Sequence, residues 1–171
     1  FGWTTRSSQL YESKLLRIAS PMFHYGLFVV LAGHVMGLLI PKAWTDLVVS
    51  QETYHLVALV AGTLAGAATL AGIAMLIYRR RTTGPVFLAT TRNDKLMYAV
   101  LTAAILLGLL ATLTGGHYAD GTEHNYRETV SIWFRSLLAF QPDVAAMAAS
   151  TWQFKVHILI GLALFALVPF S

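Results

Sequence analysis

The sequence predicts an all-α transmembrane helical bundle with four spans, and three observations carry that prediction. Apolar residues make up 56% of the 171 positions and charged residues only 12%, with a mean hydropathy of +0.62, against about 25% charged in an ordinary soluble domain. The apolar residues gather in four stretches, each near the ~20 residues needed to cross ~30 Å of hydrocarbon. Lysines and arginines flank these stretches instead of lining one helical face, so the net charge of +4 marks topology and excludes a nucleic-acid surface.

The first span is expected over Pro21 to Ile40, with Ser20 as its cap, Pro21 in its first turn and Pro41 closing it. The second runs from His55 to Tyr78. It contains "GTLAG", Gly62 to Gly66, a small-xxx-small pattern suited to close packing on a neighbouring helix. "YRRRTTGP" stops it, and the third span follows from Lys95 to Thr114. The segment Gly115 to Thr151 carries Trp133, Phe134 and Leu137 at helical spacing beside Arg127 and Arg135. It fits either a helix lying in the membrane interface or a loop packed on the bundle. The fourth span is expected from Trp152 to Ser171.

Arg6, Lys14, Arg17, Arg79, Arg80, Arg81, Arg92 and Lys95 fall on one side of the bundle. The other side has Lys42, Arg127 and Arg135, with Lys155 at its border. The richer side is cytoplasmic by the positive-inside rule, which leaves Gly115 to Thr151 outside. The chain opens on the polar "FGWTTRSSQ" and stops at "ALVPFS" with no charge closing the last span. Residues 1–171 thus read as one membrane domain with sequence expected beyond both ends.

With no cysteine in the chain, a metal or cofactor has to be held by His, Met, Tyr or carboxylate. Histidine inside a span loses hydration that a partner must replace, so the six histidines are the natural candidates. His24 and His34 lie ten residues apart on the first span, about 15 Å along a helix and roughly a quarter turn round it. One metal ion cannot take both, and zinc sites on helices use i, i+4 pairs. Two separate centres remain, and haem suits them because it takes one imidazole from each face of a planar ring.

In an antiparallel arrangement His157 on the last span matches the depth of His34, while Gly33, Gly37 and Gly161 remove side chains where a flat ring would approach. No histidine at Leu167 to Ser171 matches the depth of His24. That residue is either hydrogen-bonded one turn back or paired with a ligand past the end of the chain. His117 and His124 sit among Tyr118, Asp120 and Glu123, where a solvated polar role is expected. Tyr54 and His55, near the outer end of the His34 helix, suit either a quinone ring arriving from the membrane or an interfacial anchor.

"FHYGLFVVLAGHVMGLLIP", "YRRRTTGPVFLATTRNDKLMY" and "FKVHILIGLALFALVPFS" resemble the gamma subunit of respiratory nitrate reductase, a dihaem cytochrome b, in its actinobacterial form. The resemblance covers essentially the whole chain. It implies five transmembrane helices, one of them before Phe1, in the bacterial cell (inner) membrane, and a fourth ligand histidine just after Ser171. It further implies two haem b groups: an outer one on His34 and His157, and an inner one on His24 and the histidine beyond. Quinol, menaquinol or ubiquinol, would be oxidised near the outer haem, with Gly33, His34, Tyr54 and His55 as candidate contacts. Tyr54 stands where some members have a lysine. Electrons would pass to an iron–sulfur beta subunit and then to a molybdenum-containing alpha subunit that reduces nitrate. The alternatives are a dihaem anchor of a sulfite- or heterodisulfide-reductase-type complex and a haem-free membrane anchor.

Overall fold

The computed structural model describes residues 10–170 and is all-helical apart from one isolated β-bridge between His117 and Glu123. Arg6, counted above for topology, and Ser171, the expected end of the fourth span, lie outside the described residues. Four helices form the bundle: α1 (Lys14–His34), α3 (Gln51–Thr82), α5 (Arg92–Thr114) and α8 (Trp152–Leu167). Short helices α2 (Lys42–Thr45), α4 (Gly84–Leu88), α6 (Val130–Leu138) and α7 (Val144–Ala148) lie in the connections.

The span limits differ from expectation for local reasons. α1 begins at Lys14, where the Glu12 carboxylate accepts a hydrogen bond from the Leu15 amide at 2.7 Å. Pro21 is therefore inside the helix, and Ser20 does not cap it. The loss of one i→i−4 bond at proline is tolerated within an apolar helix packed on neighbours. After His34 the backbone widens into a π-helical turn, Val35–Leu39, before Pro41. α3 starts at Gln51, ahead of His55, because the Ser50 side chain accepts from the Thr53 amide, and it continues through the arginines to Thr82. α5 starts at Arg92 behind a Thr91/Asp94 capping box.

Three stretches, Lys14–Leu39, Gln51–Thr82 and Arg92–Thr114, are long and apolar enough to cross a membrane, and α8 is a shorter apolar helix. Its 16 residues rise about 24 Å. Pro169 cannot extend it, and the chain tightens into a 3₁₀ turn over Val168–Phe170.

The four helices form an antiparallel row in which α1 packs on α3, α3 on α5 and α5 on α8. The first contact is a backbone-to-backbone crossing. A Cβ on Gly26 would lie 2.5 Å from Thr69 Oγ1, and one on Gly72 would lie 2.6 Å from the Phe23 amide nitrogen. Thr69, buried at this crossing, donates its hydroxyl proton to the Ala65 carbonyl at 2.7 Å and so brings no unpaired polar group. Gly66 and Gly62 of the "GTLAG" stretch face Leu109 and Thr112 on α5. At the end bearing the three consecutive arginines, buried Arg79 is paired with Glu12 at 2.8 Å.

The Gly115–Thr151 segment is packed on the bundle. Ser131 donates to the Gly37 carbonyl at 2.6 Å and Arg135 to that of Leu38 at 3.0 Å, so α6 covers the π-helical end of the first span. α6 itself ends on the paired Schellman bonds, Phe140 N–H to Leu137 O and Gln141 N–H to Ser136 O, both 3.0 Å. Phe140 takes the left-handed conformation there, φ +56°, where glycine is usual and another L-residue costs about 1–2 kcal/mol.

Candidate functional site

Three of the six histidines stand on the spans at positions where a side chain could reach a shared ligand. His34 is the last residue of α1, at the point where the helix widens, and π-helical turns recur at functional sites. Its Nδ1 lies 2.8 Å from the Val30 carbonyl oxygen. A carbonyl only accepts, so Nδ1 carries the proton and Nε2 keeps its lone pair. His24 repeats the arrangement with Nδ1 2.7 Å from the Ser20 carbonyl. Nδ1–H donated to backbone is the usual support of a metal-ligating histidine, because it fixes the tautomer and the ring orientation. It is also the bond expected of a histidine that ligates nothing, so the tautomer is necessary for a ligand without being specific to one.

The third histidine supplies the specificity. His157 sits on α8 against Gly108 of α5, where a Cβ would come within 3.0 Å of its Cε1. Its Nδ1 is buried and has no hydrogen-bond partner among the described residues. Its ring centre is 5.9 Å from that of His34, with the planes inclined 43°. The two helices share no extended packing face, so these imidazoles meet across a gap between the ends of the row. Imidazoles on opposite sides of one metal, each bonded at about 2 Å, bring their ring centres about 6 Å apart. The observed separation of 5.9 Å is close to that spacing.

The glycines expected to admit a planar ring differ in their surroundings. A Cβ on Gly33 or Gly161 would meet nothing within 4 Å, whereas Gly37, expected to serve the same purpose, is filled by the Tyr126 hydroxyl 2.7 Å from its Cβ position. Among the described residues no group of three or more His, Asp or Glu side chains gathers to hold a bare metal ion. His24 faces outward on α1 with its ring edge-on to Phe23 at 5.1 Å.

Tyr54 and His55 diverge. His55 is exposed at the start of α3, with its Cε1 3.9 Å from the Cβ position of Gly116. Tyr54 instead joins a layer that closes this end of the bundle. Its hydroxyl is 3.4 Å from that of Tyr126, and the Arg127 guanidinium lies 3.9 Å over its ring. Arg127 is 3% exposed and holds Asp46 at 3.4 Å, the Lys42 carbonyl at 3.3 Å and the Thr45 hydroxyl. Burial, reinforced by the hydrogen bond to Tyr54, raises the Tyr126 pKa, so its hydroxyl stays protonated. Beside this layer opens a cleft of about 260 Å³ lined by Met36, Ile40, Trp44, Thr45, Val48, Val49 and Tyr54. It is a largely apolar space, with Trp44, Thr45 and Tyr54 as the lining residues that carry a polar group.

His117 is exposed, as expected. His124 is not: it is buried, with Nδ1–H donated to the Gly115 carbonyl at 2.8 Å and Nε2 2.9 Å from the Thr129 hydroxyl. Its neighbours explain the difference, since Tyr118 and Phe154 close over its ring at 5.0 and 5.4 Å. Gly108, Tyr126 and Arg127 carry no local signal for these roles, because each depends on what another helix brings to it.

The chain matches the family model described as nitrate reductase gamma subunit over residues 1–171. It is 60% identical over 172 residues to the nitrate reductase-like protein NarX of Mycobacterium tuberculosis, covering all of this chain and 26% of that protein. The nitrate reductase gamma chain of Bacillus subtilis is 40% identical over 172 residues, with 76% of its length covered. The respiratory nitrate reductase 2 gamma chain of Escherichia coli is 31% identical over 175 residues, with 75% covered. The chain thus spans about a quarter of the mycobacterial relative and three quarters of the other two.

Proposed function

This chain belongs to the nitrate reductase gamma subunit family, and from that premise we propose that it is the haem b membrane subunit of a quinol-oxidising nitrate reductase. The observation that carries the reading is the 5.9 Å approach of the His34 and His157 rings across a gap between helices that otherwise do not pack together. In this reading His34 and His157 hold an outer haem, and His24 holds an inner one whose second ligand is not among residues 10–170. When bound, haem supplies one-electron transfer along the bundle. Each supporting side chain has a defined task. The Val30 and Ser20 carbonyls keep the Nδ1 protons of His34 and His24, so that Nε2 is the donor atom. Gly33 and Gly161, next to His34 and one turn after His157, put no side chain in the way of a flat ring.

Quinol is taken at the outer end, with Gly33, His34, Tyr54 and His55 as its contacts. The apolar lining of the cleft beside Tyr54 suits an apolar ring, and the paired Tyr54 and Tyr126 hydroxyls can relay a proton. Menaquinol and ubiquinol both fit this description. The arginine-rich end, with Arg79, Arg80 and Arg81, is the cytoplasmic one by the positive-inside rule. It faces an iron–sulfur beta subunit and, through it, a molybdenum-containing alpha subunit. The test is to purify the assembly from its membrane and assay quinol-driven nitrate reduction. Co-purification with an iron–sulfur and a molybdenum subunit is expected. Co-purification with a different redox module, or a preparation without b-type absorption, contradicts the reading.

A further inference from the structure

The corner between α6 and α7 is built against its local preference. Phe140 occupies the position after a helix where glycine is free and a bulky residue is strained. The Phe140 side chain itself gains little packing among the described residues, being 93% exposed. Yet the corner is not loose. Besides the two Schellman bonds, the Asp143 amide donates to Ser136 Oγ at 2.8 Å, and the Asp143 carboxylate caps α7 by accepting from the Ala146 amide at 2.9 Å. The hydrogen bonds hold an aromatic side chain outward in a fixed direction. Leu137, Leu138 and Val144 beside it are exposed as well.

The depth of this corner is set by its other bonds. Ser131 and Arg135 of α6 are tied to the carbonyls of Gly37 and Leu38, the last residues of the apolar stretch Lys14–Leu39. α6 therefore lies at the level where the first span leaves the hydrocarbon. Exposed Trp152 opens the last span, and tryptophan favours the headgroup layer. We propose that the α6–α7 corner is a lipid anchor: Phe140, with Leu137, Leu138 and Val144, enters the interfacial layer of the bilayer around the outer end of the bundle. The occupant is lipid because the exposed apolar corner follows a helix bonded to the last residues of the first apolar stretch, where that span leaves the hydrocarbon. Four side chains of this kind suit the boundary between headgroups and acyl chains. The anchor depends on the membrane bundle alone, and it stands or falls independently of haem and quinol.

Residues 1–171 contain no cysteine, so within them an introduced cysteine is a unique labelling site. The protein carrying Phe140→Cys is labelled with a nitroxide, reconstituted in phosphatidylcholine and phosphatidylglycerol vesicles, and its collisions with oxygen and with a water-soluble nickel chelate are measured. Asp120→Cys, in the exposed polar loop, gives the aqueous reference, and Leu106→Cys, on an exposed apolar position of α5, gives the hydrocarbon one. The ratio of oxygen to nickel collisions at position 140 should exceed that at 120 several-fold and lie towards that at 106. Leu138→Cys, which leaves Phe140 in place, should behave likewise. A label at both 138 and 140 that tracks position 120 overturns the proposal, and so does one immobilised and shielded from both reagents, since a protein partner would then cover the corner.

Discussion

His34 and His157 belong to the first and last helices of the row, and the 5.9 Å between their ring centres is the only ring contact joining those two helices among the described residues. Helices that packed on one another would bury apolar side chains at that seam. Here α1 packs on α3 and α8 on α5, and the two imidazoles approach each other from the helices at the ends of that series.

His24 should behave as a ligand of a second, separate haem. In His24→Ala, one of the two haem signals should disappear while the other, held by His34 and His157, keeps its absorption and potential. Redox titration of the purified variant resolves the two. A variant that still titrates as two haems returns His24 to the role of a residue hydrogen-bonded to Ser20.

Arg127→Met should destabilise the Tyr54 end of the bundle by about 2–3 kcal/mol, below the 3–5 typical of a broken, fully buried pair because the Asp46 side chain is 35% exposed. The variant removes three hydrogen-bonded contacts and the cation over the Tyr54 ring together. Arg127→Lys should recover little, since an ammonium cannot reproduce the planar fork. Thermal unfolding in detergent measures both, and equal stability of Arg127→Met and the parent contradicts the cap.

The Gly115–Thr151 segment should loosen in acid. Burial lowers the His124 pKa below the ordinary 6.5, the Gly115 carbonyl partly opposing that shift and nearby Lys155 adding to it. A depressed folded pKa means that the unfolded chain binds the proton more readily. The stability from neutral His124 is thus complete above about pH 6.5 and falls as the pH drops from there towards the folded value. Protonation also removes the Nε2 acceptor facing Thr129. Amide hydrogen exchange across Gly115–Thr151 should quicken between neutral and mildly acid pH, and His124→Gln should flatten that dependence. An unchanged slope in the variant assigns it elsewhere.

The packing of α1 on α3 should tolerate no side chain at Gly72, where even a Cβ would sit 2.6 Å from backbone of Phe23. Gly72→Val is expected to cost at least the 1–3 kcal/mol of an overpacked core, roughly, and to lower the yield of folded protein. Gly84→Ala, where a Cβ meets nothing within 4 Å, is the matched control and should be neutral in the same unfolding assay. Equal effects at the two positions contradict the tight crossing.

Much of this was readable in advance because hydropathy and histidine spacing are local. Four apolar stretches, the matched depth of His34 and His157 and the close packing of "GTLAG" follow from composition and helical rise. Helix limits were less legible: Glu12 and Ser50, through side-chain bonds to nearby amides, start α1 and α3 before their apolar stretches. The layer over the Tyr54 end of the bundle was not legible at all. Arg127 reads as a surface charge until Asp46, Thr45 and Tyr54 surround it, and His124 reads as solvated until Phe154 reaches it from α8. Those contacts join residues some 30 to 80 positions apart, for which the sequence carries no periodicity.

The central claim is that His34 and His157 ligate one haem from two sides, and counting haem per chain in three proteins tests it most directly. Pyridine haemochrome analysis of the purified complex should give two haem b per copy of this chain, and one in each of His34→Ala and His157→Ala, with the polypeptide still inserted in the membrane. The same haem must be lost in both variants, seen as loss of the same component in a redox titration. Two haems retained in either variant, or different components lost in the two, would contradict the shared site.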